Sequence, residues 1–202
     1  MTIYGILVAG GSGIRFGGAK HRSTLRRRPL WEWGREALLH GGVDEVILVG
    51  DLPEGIPGGE RRRDSVWAGL DAIPAGAAYV IVHDAARPLA TPDLVRRVID
   101  RLLSGGVDAV VPVVPVRDTL KRVGDGWVVE TVDRGGLAAV QTPQGFKLEV
   151  LRAAHVTDPA DASDDALLVE RLGGSVATVE GESANLKITY PGDLAVAEAL
   201  LP

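Results

Sequence analysis

Short apolar runs rich in β-branched residues recur along the chain, separated by stretches with helical spacing, and this alternation constrains the fold more than any other feature. The runs at 2–9 (TIYGILVA), 45–50 (EVILVG), 78–84 (AYVIVHD) and 107–116 (VDAVVPVVPV) are nearly continuous in apolar character. A strand of that kind is buried on both faces. Helical patterns lie between them at 29–42, 62–73 and 91–106. The third is best marked: Thr91 is placed to cap it, Pro92 opens it, Asp93 suits the positive end of its dipole, and Gly105 and Gly106 follow it. Buried strands alternating with helices imply an α/β protein, a mostly parallel sheet with helices on both faces. Further on, 147–155 and 163–174 read as helices, the second capped by Ser163. The runs 175–181 (SVATVEG) and 185–190 (NLKITY) read as strands, and 191–201 as a closing helix.

One segment interrupts the rhythm. Residues 117–134 (RDTLKRVGDGWVVETVDR) read as two polar-faced strands around a Gly-Asp-Gly turn, a hairpin arm projecting from the sheet. The length, 202 residues, suits one domain over 1–202, with the arm at about 117–135. No apolar run approaches the ~20 residues of a membrane span. The first residues lack a basic leader, so a cytoplasmic protein without membrane partners is expected. With 0 cysteines, disulfides, thiolate metal sites and cysteine nucleophiles are excluded. A net charge of -5 and a pI of about 5.4 argue against nucleic acid as the main partner. Arginine still clusters at 26–28 and 61–63, where the simplest reading is solvated surface.

In an open parallel sheet, ligands bind beyond the carboxyl ends of the strands. The first strand leaves that edge into LVAGGSGIRFGGAKH, 7–21. It is not a dinucleotide loop, because Phe16 stands where the last glycine belongs, nor a Walker loop, because Ala19-Lys20-His21 replaces Gly-Lys-Ser/Thr. Backbone N–H groups of a glycine loop reach phosphate oxygens. Arg15 and Lys20 add the charge that a transferring phosphoryl group needs in its transition state. A tight turn with solvated cations is the competing reading. At the end of the third strand, HDAARP (83–88) places Asp84 at the same edge. A lone carboxylate beside phosphates suits Mg²⁺, and Arg87 can grip a phosphate; an aspartate cap with an arginine partner would look the same. His83 needs no role. In GGERRRDSV (58–66), Ser65 either helps to read a nucleobase edge or only caps a helix. Lys187, one of four lysines, lies within an apolar run, and either snorkels to water or faces a ligand.

The ordered set AGGSGIR, AKH, GGERRRDSV, HDAARP, PVRDTLK, TVDR, TPQGF and NLKIT is more specific than any member of it. It resembles the 2-C-methyl-D-erythritol 4-phosphate cytidylyltransferases over nearly the whole chain. The resemblance implies a modified Rossmann-like nucleotidyltransferase fold, CTP as co-substrate, Mg²⁺, and a homodimer. It also implies site residues. Gly10, Gly11, Ser12 and Gly13 match the loop around the CTP phosphates, and Ala9 its approach to cytosine. Gly59, Glu60 and Ser65 match the base-reading segment; Arg15 and Lys20 match transition-state stabilisers. Asp84 matches the Mg²⁺ ligand and Arg87 a substrate contact, while Thr119, Arg134 and Thr142 match the acceptor pocket. Arg134 and Lys187 match the pair that positions the attacking phosphate, with the arm reaching into the neighbouring subunit's site. The chain departs from the family pattern at Ala19-Lys20-His21, in an Arg15–Lys20 spacing about two residues short, and at Glu60, which replaces an aspartate. The alternatives are the same transfer to another polyol phosphate such as ribitol 5-phosphate, and a non-catalytic nucleotide-binding protein of the same fold. A nicotinamide oxidoreductase fails on the glycine spacing.

Overall fold

The computed structural model of the protein describes residues 2–9 and 23–201, and the statements below concern those residues. After strand β1 (Ile3–Val8), the next described elements are a short hairpin, β2 (Thr24–Leu25) and β3 (Arg28–Pro29), and then α1 (Leu30–His40). There follow β4 (Glu45–Val49), α2 (Arg62–Ala72), β5 (Tyr79–Asp84), α3 (Pro92–Leu103) and β6 (Ala109–Pro115). The arm is β7 (Leu120–Gly124) and β8 (Trp127–Val132). The chain returns through β9 (Ala138–Val140) and β10 (Gln144–Lys147) to α4 (Leu148–Thr157), α5 (Asp165–Arg171), β11 (Val176–Glu180) and α6 (Gly192–Leu200).

The main sheet runs β11-β6-β10-β5-β1-β4, with β9 added against β6. The pairs β1–β4, β1–β5 and β6–β11 are parallel, as continuous apolar strands require. Successive side chains of a strand point to opposite faces. Along β1, Ile3 and Leu7 accordingly join a core with Leu38 of α1 and Val95 and Val98 of α3. Tyr4, Ile6 and Val8 join the opposite core with Val66 and Leu70 of α2, Leu151 of α4 and Leu168 of α5. Helix α3 begins as its sequence indicates, with Thr91 Oγ1 accepting from the Leu94 amide at 3.1 Å and Pro92 in the first turn.

Three expectations need correction. Ser163 does not cap α5; Asp164 does, its carboxylate accepting from the Leu167 amide at 3.1 Å. Residues 185–190 lie outside the strands. Their alternation reflects Leu186 and Ile188 packing into a small core with Leu25, Leu30 and Leu89, while Ile188 donates its amide to the Ala86 carbonyl at 2.8 Å. The arginines at 61–63 are not simply solvated surface. Arg63 is buried and donates to the carbonyls of Asp158, Ala160 and His155, tying α2 to the segment after α4. Of the first cluster, Arg28 pairs with Glu32 and Glu36 and lies over the Trp33 ring.

Candidate active site

Strands β1 and β5 end side by side, Val8 opposite Asp84, so Ala9 and Asp84 share one edge of the sheet. Ala9 is held there by the hydrogen bond that its backbone N–H donates to the Val49 carbonyl at 2.8 Å. Strand β10 is antiparallel to β5, with Gln144 opposite Val82. An antiparallel strand brings its beginning to the edge where its neighbours end. Thr142, two residues earlier, therefore arrives beside Asp84 across a cis Thr142–Pro143 peptide. Its Oγ1 accepts from the Asp84 amide at 3.1 Å and lies 3.0 Å from His83 Nδ1. The other imidazole nitrogen, Nε2, is 3.2 Å from the Arg87 carbonyl, which only accepts. The proton is thus on Nε2, and Thr142 donates its hydroxyl proton to Nδ1. Burial pushes His83 down to about 4, so the ring is neutral and both its nitrogens are engaged.

Asp84 is the electrostatic centre. Arg62 Nε donates to Oδ1 at 2.9 Å and Lys187 Nζ to Oδ2 at 2.7 Å. Burial alone would raise this carboxyl; the Arg62 and Lys187 cations outweigh it and hold Asp84 far below the usual range. Arg62 also donates through Nη1 to Asp165 Oδ2 at 2.6 Å. Arg87 is fixed by the carbonyls of Asn185 at 2.7 Å and Val140 at 3.4 Å. Asn185, fully buried, donates to the Thr142 carbonyl at 2.9 Å, which links the segment carrying Lys187 to the start of β10.

The base-reading candidates lie at the entry to α2. Ser65 does not cap the helix. Its hydroxyl accepts from the Gly59 amide at 3.1 Å and sits 3.3 Å from the Arg61 carbonyl, folding the Gly58–Gly59 turn onto the helix. Capping falls to Asp64, which accepts from the Arg61 amide at 3.2 Å. Gly59 has no room for a side chain, since a Cβ would stand 2.3 Å from that of Asp64. Glu60 beside it is exposed.

The structure thus gathers Asp84, Arg87, Thr142 and Lys187 at the edge where β1 ends and Ala9 follows it. Arg134 and Thr119 stand apart at the base of the arm, both exposed, with the Arg134 guanidinium on the Arg117 carbonyl. Gly10, Gly11, Ser12, Gly13, Arg15 and Lys20 lie outside the described residues. Sequence reasoning missed Arg62 and Asp165. Nothing in RRRD distinguishes Arg62 from its neighbours until the helix sets which of them points at β5.

Asp84 therefore stays ionised, with Arg62 on one oxygen and Lys187 on the other. Among the described residues no group of three or more His, Cys, Asp or Glu is placed to hold a metal ion. One protein carboxylate, completed by phosphate oxygens and water, is nevertheless a donor set that suits Mg²⁺.

Residues 3–202 match the profile of the family described as IspD, 2-C-methyl-D-erythritol 4-phosphate cytidylyltransferase. The chain is 42% identical to the 2-C-methyl-D-erythritol 4-phosphate cytidylyltransferase of Thermosynechococcus vestitus, over 97% of this chain and 94% of that protein. It is also 42% identical to the bifunctional enzyme IspD/IspF of Solidesulfovibrio magneticus, where it spans 58% of the longer protein. Among solved structures, the 2-C-methyl-D-erythritol 4-phosphate cytidylyltransferase of Thermus thermophilus superposes with a TM-score of 0.84 at 37% identity, covering 96% of each chain. The enzyme of that name from Francisella tularensis gives 0.85 at 26% identity, covering 100% of each.

Proposed function

Because the chain belongs to the 2-C-methyl-D-erythritol 4-phosphate cytidylyltransferase family, we propose that it joins CTP and 2-C-methyl-D-erythritol 4-phosphate into 4-diphosphocytidyl-2-C-methyl-D-erythritol and pyrophosphate. The observation that carries the site assignment is the meeting of Asp84, Lys187 and Arg87 at the carboxyl edge of β1 and β5.

A phosphate oxygen of the acceptor attacks the α-phosphorus of CTP in line, and pyrophosphate leaves. The acceptor monoester is already an anionic nucleophile near neutral pH, so no general base is needed. This agrees with a His83 that is buried, neutral and engaged at both nitrogens. Rate then comes from positioning and charge. The glycine loop, Gly10 to Gly13, holds the triphosphate, and Arg15 and Lys20 stabilise charge developing on the α-phosphate. Ala9, Gly59, Glu60 and Ser65 face the base, with selectivity coming from backbone groups that the Ser65–Gly59 bond holds in place. Asp84 would hold Mg²⁺, which when bound would supply positive charge against the triphosphate. Lys187 and Arg134 bring one anion up to another, and Arg87, Thr119 and Thr142 shape the acceptor pocket.

The arm is proposed to cross a homodimer, so that Thr119 and Arg134 serve the neighbouring site. Its two strands expose Val123, Trp127, Val128 and Val129, Trp127 at 78%. A two-stranded ribbon is marginal alone, and a second copy of this chain would cover that apolar surface. No helix among the described residues is long and apolar enough to cross a membrane. A cytoplasmic location is part of the same proposal.

The test is pyrophosphate release from CTP and Mg²⁺ with either acceptor. Release with methylerythritol phosphate alone is expected. Release with ribitol 5-phosphate alone would reassign the acceptor, and CTP binding without release in either would leave a nucleotide-binding protein.

A further inference from the structure

Arg62 and Lys187 both face Asp84, yet they are held differently. Arg62 is pinned at two points, Nε on Asp84 Oδ1 at 2.9 Å and Nη1 on Asp165 Oδ2 at 2.6 Å. Asp165 is 1% exposed, and its second oxygen lies 3.2 Å from His155 Nε2, whose ring stacks on Trp67. Moving Arg62 away would leave both carboxylates short of a cation in the interior, a strongly unfavourable arrangement. Lys187 reaches Asp84 Oδ2 from a segment outside the helices and strands, with its side chain 42% exposed. An ammonium leaving that position regains water.

The charges divide in the same way. Asp165 neutralises Arg62, so Arg62 orients Asp84 through a directed hydrogen bond without opposing a second cation at Oδ2. Lys187 has Asp84 as its carboxylate partner, and it occupies the oxygen that a metal would need.

We propose that Arg62 is a positioning residue, the fixed partner that aims Asp84, and that Lys187 is the exchangeable one. Lys187 yields Oδ2 to the divalent cation that accompanies CTP and turns its ammonium to the acceptor phosphate. Cation and acceptor each draw off the partner that obstructs the other, so by linkage each strengthens binding of the other. This inference rests on the cytidylyltransferase reading above.

Mn²⁺ serves as the probe, its binding counted from loss of the free-ion paramagnetic signal in the presence of the unreactive analogue α,β-methylene-CTP. Arg62→Gln should weaken Mn²⁺ binding by about 10-fold or more, the range found when a group orienting a metal ligand is lost. Asp165→Asn should weaken it in the same direction, because the charge of Arg62 is then unopposed. Arg62→Lys, which keeps charge but cannot span both carboxylates, should fall between wild type and Arg62→Gln. Lys187→Met should bind Mn²⁺ more tightly than wild type while raising the acceptor KM at any metal concentration; Arg62→Gln should raise the acceptor KM at limiting metal, as the linkage requires, and match wild type in acceptor KM once metal is saturating.

Equal Mn²⁺ affinity per folded molecule in wild type and Arg62→Gln, with only a lower melting temperature, would make Arg62 a structural strut. Weaker binding by Lys187→Met would overturn the exchange, and so would a wild type that binds no Mn²⁺ beside the analogue. A wild type that binds Mn²⁺ but releases no pyrophosphate would instead sink the cytidylyltransferase reading, and the binding comparison would still decide the role of Arg62.

Discussion

Thr142 Oγ1 accepts the Asp84 amide hydrogen at 3.1 Å, across 58 positions of sequence. The same hydroxyl satisfies His83 Nδ1 at 3.0 Å, so one side chain settles two buried polar groups. Thr142→Val keeps the shape and removes both bonds. A loss of about 1–3 kcal/mol in urea unfolding is expected, with Thr142→Ser close to wild type. Equal stability of Thr142→Val and wild type would contradict this account.

Burial holds His83 neutral, lowered from 6.5 to about 4. Between those values an unfolded chain binds a proton that the native one refuses, so the unfolded state gains as pH falls. The contribution of His83 to stability is therefore whole above pH 6.5 and is lost toward about 4. The slope of unfolding free energy against pH across that window should be shallower in His83→Gln. An unchanged slope would mean that the ring is protonated in the native protein.

Arg63 is expected to act on stability alone. Its guanidinium serves three carbonyls away from Asp84, among them Asp158 at 2.6 Å and His155 at 3.0 Å. Arg63→Ala should lower unfolding free energy by about 3 kcal/mol, given that each unpaired buried group costs on the order of 1–3 kcal/mol. Nucleotide affinity per folded molecule should be kept, and a selective loss of CTP binding would count against this division between Arg62 and Arg63.

Arg15→Ala should reduce turnover on the order of 10²-fold or more, the cost of losing a donor to developing charge. Near-normal turnover would remove Arg15 from the chemistry.

If the arm serves the neighbouring site, two inactive variants should repair each other. Arg134→Ala and Lys187→Ala, mixed and allowed to exchange subunits, form dimers in which one site has both residues intact. Activity should return to about one quarter of wild type, since about half the dimers are mixed and each keeps one good site. No recovery, with subunit exchange confirmed by mass, would keep each arm in its own site.

Much of this was legible in the chain. The apolar runs of β1, β4, β5 and β6 and the caps of α3 are local signals, and the structure reproduces them within a few residues. The edge carrying Asp84 was also legible, because a buried parallel strand ending in a polar residue delivers it to the carboxyl side. Local signals failed where a neighbour made the choice. Leu186 and Ile188 alternate as a strand would, but a ladder needs a partner edge, and that segment only covers a small core. Arg61, Arg62 and Arg63 are chemically identical; the first pairs with Asp64, the second with Asp84 and the third with backbone carbonyls.

By itself the sequence determined the layers, the parallel run of β1, β4 and β5 and the residue types at the edge, because these follow from periodicity and chain direction. Only the tertiary structure decided which cation holds Asp84. Arg62 lies 22 positions before it and Lys187 103 after it. An ion pair depends on distance in space, and that distance exists only once β10 has been inserted antiparallel beside β5 and the segment carrying Lys187 has been tied to its start.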